Sequence, residues 1–377
     1  MRKKEIIFVT GLTTMLAITG LYTVLTGNKE YSANENRYLT QFSSVNLSGI
    51  LSGETQQQMG NALEDQFPGR DFWTGLTTKV EKKLGYKDVG GVYLGKDSYY
   101  FEKVMNQDIS QTNYFQNLRF VNHLAKISGE ADVTAMLVPS PGTILSDKLP
   151  SHAVLYDAQT MYEEAVQVLQ DVNLIDLRQQ LTQESKVSQV YYRTDHHWSL
   201  RGAYVGYSAY CRQVEGGTPK DYEAFDVHTV SEDFYGTLYS KALDDDAVPD
   251  MMDAAQGLPD VEVICDGKEM SGVYDTTKVE QKDKYAYYFG GNYAEVGITP
   301  VNDKSSAGKK LLVIKDSFAN SMIPFLLEEY DEIHMLDLRY FKNSVKNYVE
   351  EYGADEVLVL FELSNFAGDQ NLSRLMK

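Results

Sequence analysis

The sequence predicts an α/β protein: a parallel sheet flanked by helices, with an irregular/β insertion at about residues 215–306 and an N-terminal transmembrane helix. Three observations carry this expectation. Short apolar runs alternate with amphipathic stretches both before residue 215 and after residue 306, the βαβα rhythm of a sheet covered on both faces. Between them the rhythm breaks into an acidic, Gly-rich tract. At the start, an uncharged run from Ile6 to Thr26 follows Arg2, Lys3 and Lys4.

That run is long enough to cross a bilayer, which takes roughly 20 residues. Its basic flank predicts a cytoplasmic start and a single-pass protein whose remainder is extracytoplasmic. A cleaved signal peptide is the rival. It calls for a shorter apolar core and a small-residue cleavage site, which Thr26, Gly27 and Asn28 do not supply. Residues 1–28 therefore read as basic flank and anchor, and 29–60 as a polar stalk and entry segment. Residues 61–377 read as the main folded domain, with the insertion inside it.

Helical spacing runs over Gln57–Gln66, stopped by Phe67-Pro68-Gly69-Arg70, and again over Phe72–Leu84. Val92–Leu94 and Tyr99–Phe101 flank Gly95-Lys96-Asp97 as a hairpin. Helices follow at Tyr114–Ile127 and Ala158–Leu169, and strands at Val133–Val138 and Val172–Ile175. Gln189–Tyr192 leads into Asp195-His196-His197-Trp198, after which Ser199 caps a helix to about Val214. In the insertion, Asp244-Asp245-Asp246 reads as a solvated loop. Beyond it come strands at Leu311–Ile314, Glu332–Leu336 and Glu356–Leu360, with helices at Phe318–Glu329 and Asn343–Tyr352.

With 43% hydrophobic and 24% charged residues the chain is globular rather than disordered. A formal charge of −19 repels polyanions and excludes a general nucleic-acid role. The 27 tyrosines suit either sugar stacking or ordinary cores. Cys211 and Cys265 either pair or stay as buried thiols, and no zinc-type cysteine spacing exists. Phe289-Gly290-Gly291-Asn292 is too short for a phosphate cradle and reads as a turn, so no cofactor is implied.

Two segments could carry chemistry. In Leu311–Phe318 an apolar strand ends, Asp316 and Ser317 follow at once, and a helix begins. A hydroxyl there stands at the carboxyl edge of a parallel sheet, where α/β sites form, although a plain N-cap gives the same pattern. Asp195-His196-His197-Trp198 offers a base and an orienting carboxylate for such a serine. The same residues could bind a metal, but no third or fourth ligand is evident, or the histidines could be structural.

Asp195-His196-His197-Trp198 resembles the motif of the DHHW family, and also the Asp-x-His-Trp motif of alginate O-acetyltransferase proteins, whose catalytic domain is SGNH-hydrolase-like. Further blocks fall in the family's order: Asp65–Arg70, Gly91–Phe101, Met136–Pro139, Phe234–Leu238 and Asp316–Phe318. The resemblance implies an SGNH-hydrolase-like sheet with Ser317 as nucleophile, His197 as base and Asp195 as its orienter. It places His196 at the motif's variable position, Asn365 where an oxyanion-hole asparagine would stand, and Arg339 where the family has an arginine. Arg339 would bind substrate or pair with a surface carboxylate; Asn365 is otherwise a turn residue; Trp198 would stack a sugar or pack beside the loop. Lys315 departs from the family's usual glycine, and either crowds the turn or offers its amine to the site. The implied activity is O-acetyl transfer to an exported polysaccharide or cell-wall glycan, with a multi-pass membrane acyltransferase as acyl donor. A carbohydrate acetyl esterase and an idle glycan-binding protein are the alternatives. No metal or cofactor is called for.

Overall fold

The computed structural model describes residues 3–26, 29–32, 37–42, 47–301 and 308–376. The chain divides into two compact units, residues 1–90 with 239–246, and residues 91–238 with 247–377. The boundary between them falls at 90/91. The reason is local. The Arg70–Lys83 helix packs on the returning segment, where Thr78 Oγ1 donates to Ala242 O at 2.5 Å. Lys82 there reaches Asp244 at 2.5 Å and Asp246 at 2.6 Å. Asp244 is buried, so this part of the acidic run is a docking element rather than the solvated loop expected.

The first unit also holds the Lys3–Thr26 helix, long and apolar enough to cross a membrane, and the Glu54–Asp65 helix. Gly27 and Asn28, where cleavage was weighed, lie outside the described residues.

The second unit is built on an eight-stranded sheet. Its strands, numbered along the chain, are β1 (Asp132–Val138), β2 (Asn173–Ile175), β3 (Val261–Cys265) and β4 (Lys268–Met270). They continue as β5 (Glu295–Pro300), β6 (Lys310–Lys315), β7 (Glu332–Leu336) and β8 (Glu356–Glu362). The order across the sheet is β4-β3-β5-β7-β6-β8-β1-β2. From β7 to β2 all pairings are parallel, and β5, β3 and β4 extend the sheet antiparallel.

The parallel strands are covered on both faces, which is why they read as unbroken apolar runs. Along β6, Leu311 and Val313 enter one core while Leu312 and Ile314 enter the other. Leu358 and Leu360 against Val357 and Val359 do the same on β8. The insertion holds short antiparallel strands as expected, but three of them join the main sheet; Val227–Phe234 and Asp250–Ala255 form a separate pair.

Helix starts follow their caps. Ser110, Asp157, Ser199 and Ser344 each accept from a backbone N–H three residues on. Gln189–Tyr192, leading into the Asp195 loop, makes the isolated Tyr191–Trp198 bridge. One element differs from expectation. The expected Phe318–Glu329 helix is one α turn, Ala319–Met322, followed by a 3₁₀ turn, Ile323–Leu326. Pro324 lacks the N–H that a continuing α-helix needs. Both cysteines are free and buried, and burial pushes the Cys211 thiol up to about 12 and that of Cys265 to about 11.

Candidate active site

The central strands converge on one edge. Asp316 and Ser317 follow the end of β6, Asp337 and Arg339 follow β7, and Asn365 lies just past β8. This is the carboxyl edge of the parallel strands, where open α/β sheets place their crevices. An open depression of about 520 Å³ lies there, bordered by Ser317, His196, Arg339, Asn365, Phe361 and Asp369.

The loop before the Leu200–Gln213 helix brings a histidine to that edge. His197 Nε2 stands 2.7 Å from Ser317 Oγ, and His197 Nδ1 stands 2.6 Å from Asp195 Oδ1. Asp195 Oδ1 also accepts the His197 backbone N–H at 2.9 Å, and Oδ2 accepts Thr237 N–H at 2.8 Å and Thr237 Oγ1–H at 3.2 Å. The three residues predicted from sequence are therefore hydrogen-bonded in line. An ionised carboxylate only accepts, so the bond network assigns the His197 proton to Nδ1 and leaves Nε2 to accept from Ser317.

Burial would raise the Asp195 carboxyl, but the His196 and His197 rings and its hydrogen bonds outweigh this and hold it well below the usual carboxylate range. Burial, reinforced by the neighbouring His196 ring, lowers His197 to about 4 against the pull of Asp195. At neutral pH the pair is an anionic carboxylate and a free imidazole, the state a base must occupy.

His196 lies beside this line. Its Nδ1 is 2.7 Å from Thr237 Oγ1. That hydroxyl has one proton and gives it to Asp195, so His196 Nδ1 carries the hydrogen of this contact. Potential ligand atoms of Asp195, His196 and His197 lie within 4.8 Å of one another. However, Asp195 accepts four hydrogen bonds and both His197 nitrogens are engaged, which suits proton transfer better than ligation.

The remaining expected residues separate. Asn365 Nδ2 donates to Asp316 Oδ2 at 2.9 Å, and an amide keeps a second N–H. The buried Asp316 carboxylate also takes Phe318 N–H and Glu362 N–H, each at 2.9 Å, which fixes the turn carrying Ser317. Arg339 is not in a surface pair. Its Nε and Nη2 grip the fully buried Asp337 at 2.8 and 2.5 Å, and among the described residues Nη1 has no partner. Trp198 does not stand open to a sugar. It is fully buried, with Nε1 donating to Phe318 O at 3.0 Å and to Ser321 Oγ at 2.9 Å. Lys315 is buried beneath the turn, its Nζ on Asn320 Oδ1 at 2.6 Å and Asn292 Oδ1 at 3.1 Å, and burial lowers it to about 8.

Sequence reasoning missed three contributors. Tyr285 stacks flat on the His197 ring, centroids 3.7 Å apart, and its hydroxyl donates to Ser317 O at 3.2 Å. Thr237 orients both Asp195 and His196. Asp250, fully buried, accepts from Arg193 N, Thr194 N, Thr194 Oγ1 and Gln189 Nε2 at 2.7–2.9 Å, holding the backbone that leads into Asp195. Asp250→Ala strands those donors and is expected to cost about 3 kcal/mol of unfolding free energy. Urea denaturation checks this, and a loss under about 1 kcal/mol would remove Asp250 from the supporting framework.

Comparison with known proteins adds relatives. A protein from Pseudomonas syringae pv. tomato described as a probable alginate O-acetylase AlgJ is 26% identical over 180 residues, 45% of each chain. The chain thus matches about half the length of that relative. A crystal structure of a DHHW family protein from Eubacterium siraeum is similar with a TM-score of 0.65 at 21% identity, covering 77% of this chain and 96% of that one. Bacillus cereus PatB1 follows at a TM-score of 0.60 and 24% identity, covering 73% of this chain and 97% of its own. These likenesses show that the chain shares the fold of those proteins. The family profile described as DHHW protein matches residues 74–336, well over half the sequence, and the chain belongs to that family.

Proposed function

We propose that the protein is an extracytoplasmic serine-dependent O-acetyltransferase acting on an exported polysaccharide or cell-wall glycan through an acyl-enzyme. The observation that carries this reading is the Asp195–His197–Ser317 line opening onto the depression. Membership of the family and the partial match to a protein named as an alginate O-acetylase support the acetyl group and the glycan.

In this mechanism His197 Nε2 takes the Ser317 proton as Oγ bonds to the acyl carbon and the carbonyl pair moves onto oxygen. Among the described residues Ser317 N–H has no acceptor; together with the second N–H of Asn365 it holds that oxyanion. Collapse expels the donor's leaving group, which takes the proton from His197. A sugar hydroxyl then gives its proton to His197 as its oxygen bonds to the acetyl carbon, and collapse breaks the bond to Ser317 Oγ, which takes that proton back from His197. His196, which borders the depression beside the base, hydrogen-bonds a neighbouring hydroxyl of the incoming sugar. A multi-pass membrane acyltransferase is the proposed acetyl donor.

Water in place of the sugar gives an esterase, so partition is the test. The acetylated enzyme is chased with oligosaccharide, and acetyl-sugar and acetate are measured. The proposal predicts acetyl-sugar in excess; acetate alone at saturating sugar would make the protein an esterase. The pH profile of acylation tests the base separately. Only unprotonated His197 works, so the rate is flat from neutral pH downward and falls as pH drops through about 4. Circular dichroism at each pH checks that the fold persists. A fall centred near the ordinary 6.5 would contradict the environment assigned to His197.

A further inference from the structure

The Arg70–Lys83 helix is turned the opposite way from an ordinary surface helix. The face it packs on protein is small and polar. Thr78 is buried and bonded to Ala242 O, a Cβ on Gly75 would lie 3.1 Å from Leu243 O, and Lys82 holds Asp244 and Asp246. Its apolar residues point out. Phe72, Trp73, Leu76, Val80 and the following Leu84 are 66, 51, 39, 48 and 70% exposed. At helical spacing these five form a stripe about 120° wide, with Lys79 on one margin and Lys83 just inside that margin. A large aromatic and aliphatic stripe left on a surface marks an interaction site.

Its place in the same unit indicates what it meets. The residues just before this helix are tied to those just after the Lys3–Thr26 helix. The Gln66 side chain accepts Lys29 N–H at 3.0 Å and donates to Lys29 O at 2.9 Å. A cavity of about 440 Å³ is lined by Tyr22, Thr26 and Lys29 together with Phe67, Gly69 and Arg70. The first turn of the Arg70–Lys83 helix therefore begins at the level where the apolar helix ends, the depth of the membrane–water interface if that helix spans. Tryptophan and phenylalanine with flanking lysines are the side chains that this layer favours.

We propose that the Phe72–Leu84 stripe lies in the interfacial region of the bilayer that the Lys3–Thr26 helix crosses, on the side where that helix ends. This rests on the spanning reading and is independent of the acyl-transfer chemistry. The lysines remain at the headgroups while the five apolar side chains enter the acyl boundary.

The chain has two tryptophans, and Trp198 is fully buried in the second unit, so lipid-borne quenching reports on Trp73. The experiment uses the full chain in phosphatidylcholine vesicles carrying lipids brominated high on the acyl chain. The expected result is quenching that disappears in Trp73→Phe and weakens in Leu76→Asp. Unquenched Trp73 in vesicles from which alkaline carbonate does not extract the chain overturns the proposal. So does emission that is blue-shifted but unquenched, because protein rather than lipid would then cover the stripe. Extraction of the chain by carbonate overturns the spanning helix and the proposal with it.

Discussion

Replacing Ser317 by alanine is expected to lower acyl transfer by at least ~10³-fold, with the fold intact. Ser317 is partly exposed and its hydroxyl's one protein partner among the described residues is His197 Nε2, so the substitution removes the nucleophile and little packing. His197→Ala is expected to cost about as much, and the double variant no more than either, since the two act as a unit. Any residual rate comes from oxyanion donors and binding. The check is the acetyl-transfer rate to oligosaccharide, alongside a thermal melt for each variant. A Ser317→Ala enzyme keeping more than about a tenth of the wild-type rate would rule out serine catalysis.

The second large effect is expected from a glycine that touches no substrate. A Cβ on Gly236 would lie 2.2 Å from Asp195 Cβ and 2.3 Å from Asp195 Oδ2. No rotamer change of a flexible tip relieves that, because the obstacle is the root of the orienting side chain. Either Asp195 swings away, losing Thr237 N–H and the His197 ring, or the turn before the 237–242 helix backs off. A catalytic group misplaced by about an ångström costs roughly 10²-fold, and overpacking costs about 1–3 kcal/mol. Gly236→Ala is thus expected to lose about 10²-fold in acylation with a modest drop in stability. The burst of nitrophenol from p-nitrophenyl acetate reads the acylation step directly. A burst within twofold of wild type would mean that Asp195 does not need the position seen here.

The parts legible in the sequence are those whose signal is local. Strands β1, β6 and β8 stand out because burial on both faces demands unbroken apolar runs, and Ser199 announces its helix by a cap that reaches only three residues. Asp195, His197 and Ser317 were nominated by a motif and a strand–serine–helix junction, two segments 120 residues apart that only the fold could join. The missed contributors depend on long-range contacts with no local pattern. Tyr285 sits in a 3₁₀ turn of the insertion, where nothing distinguishes it from the other 26 tyrosines. Asp250 looks like one more acid in an acidic tract until its four donors converge on it. For Trp198 the sequence left stacking and packing open because side-chain direction is not periodic in a loop; the indole turns into the Ser317 turn rather than toward solvent. Asp244 failed for the converse reason: a charge run reads as solvated unless the lysine that buries it, 162 residues away, is known.

The central claim, that Ser317 carries the acyl group, is tested most directly by trapping that intermediate. The folded protein is incubated with p-nitrophenyl acetate, quenched in acid and read by intact mass, then digested to locate the adduct. The account predicts a single acetyl group on the peptide containing Ser317, absent from Ser317→Ala and much reduced in His197→Ala. A folded wild-type protein that gains no acetyl group, or a Ser317→Ala protein that gains the same one, would contradict it.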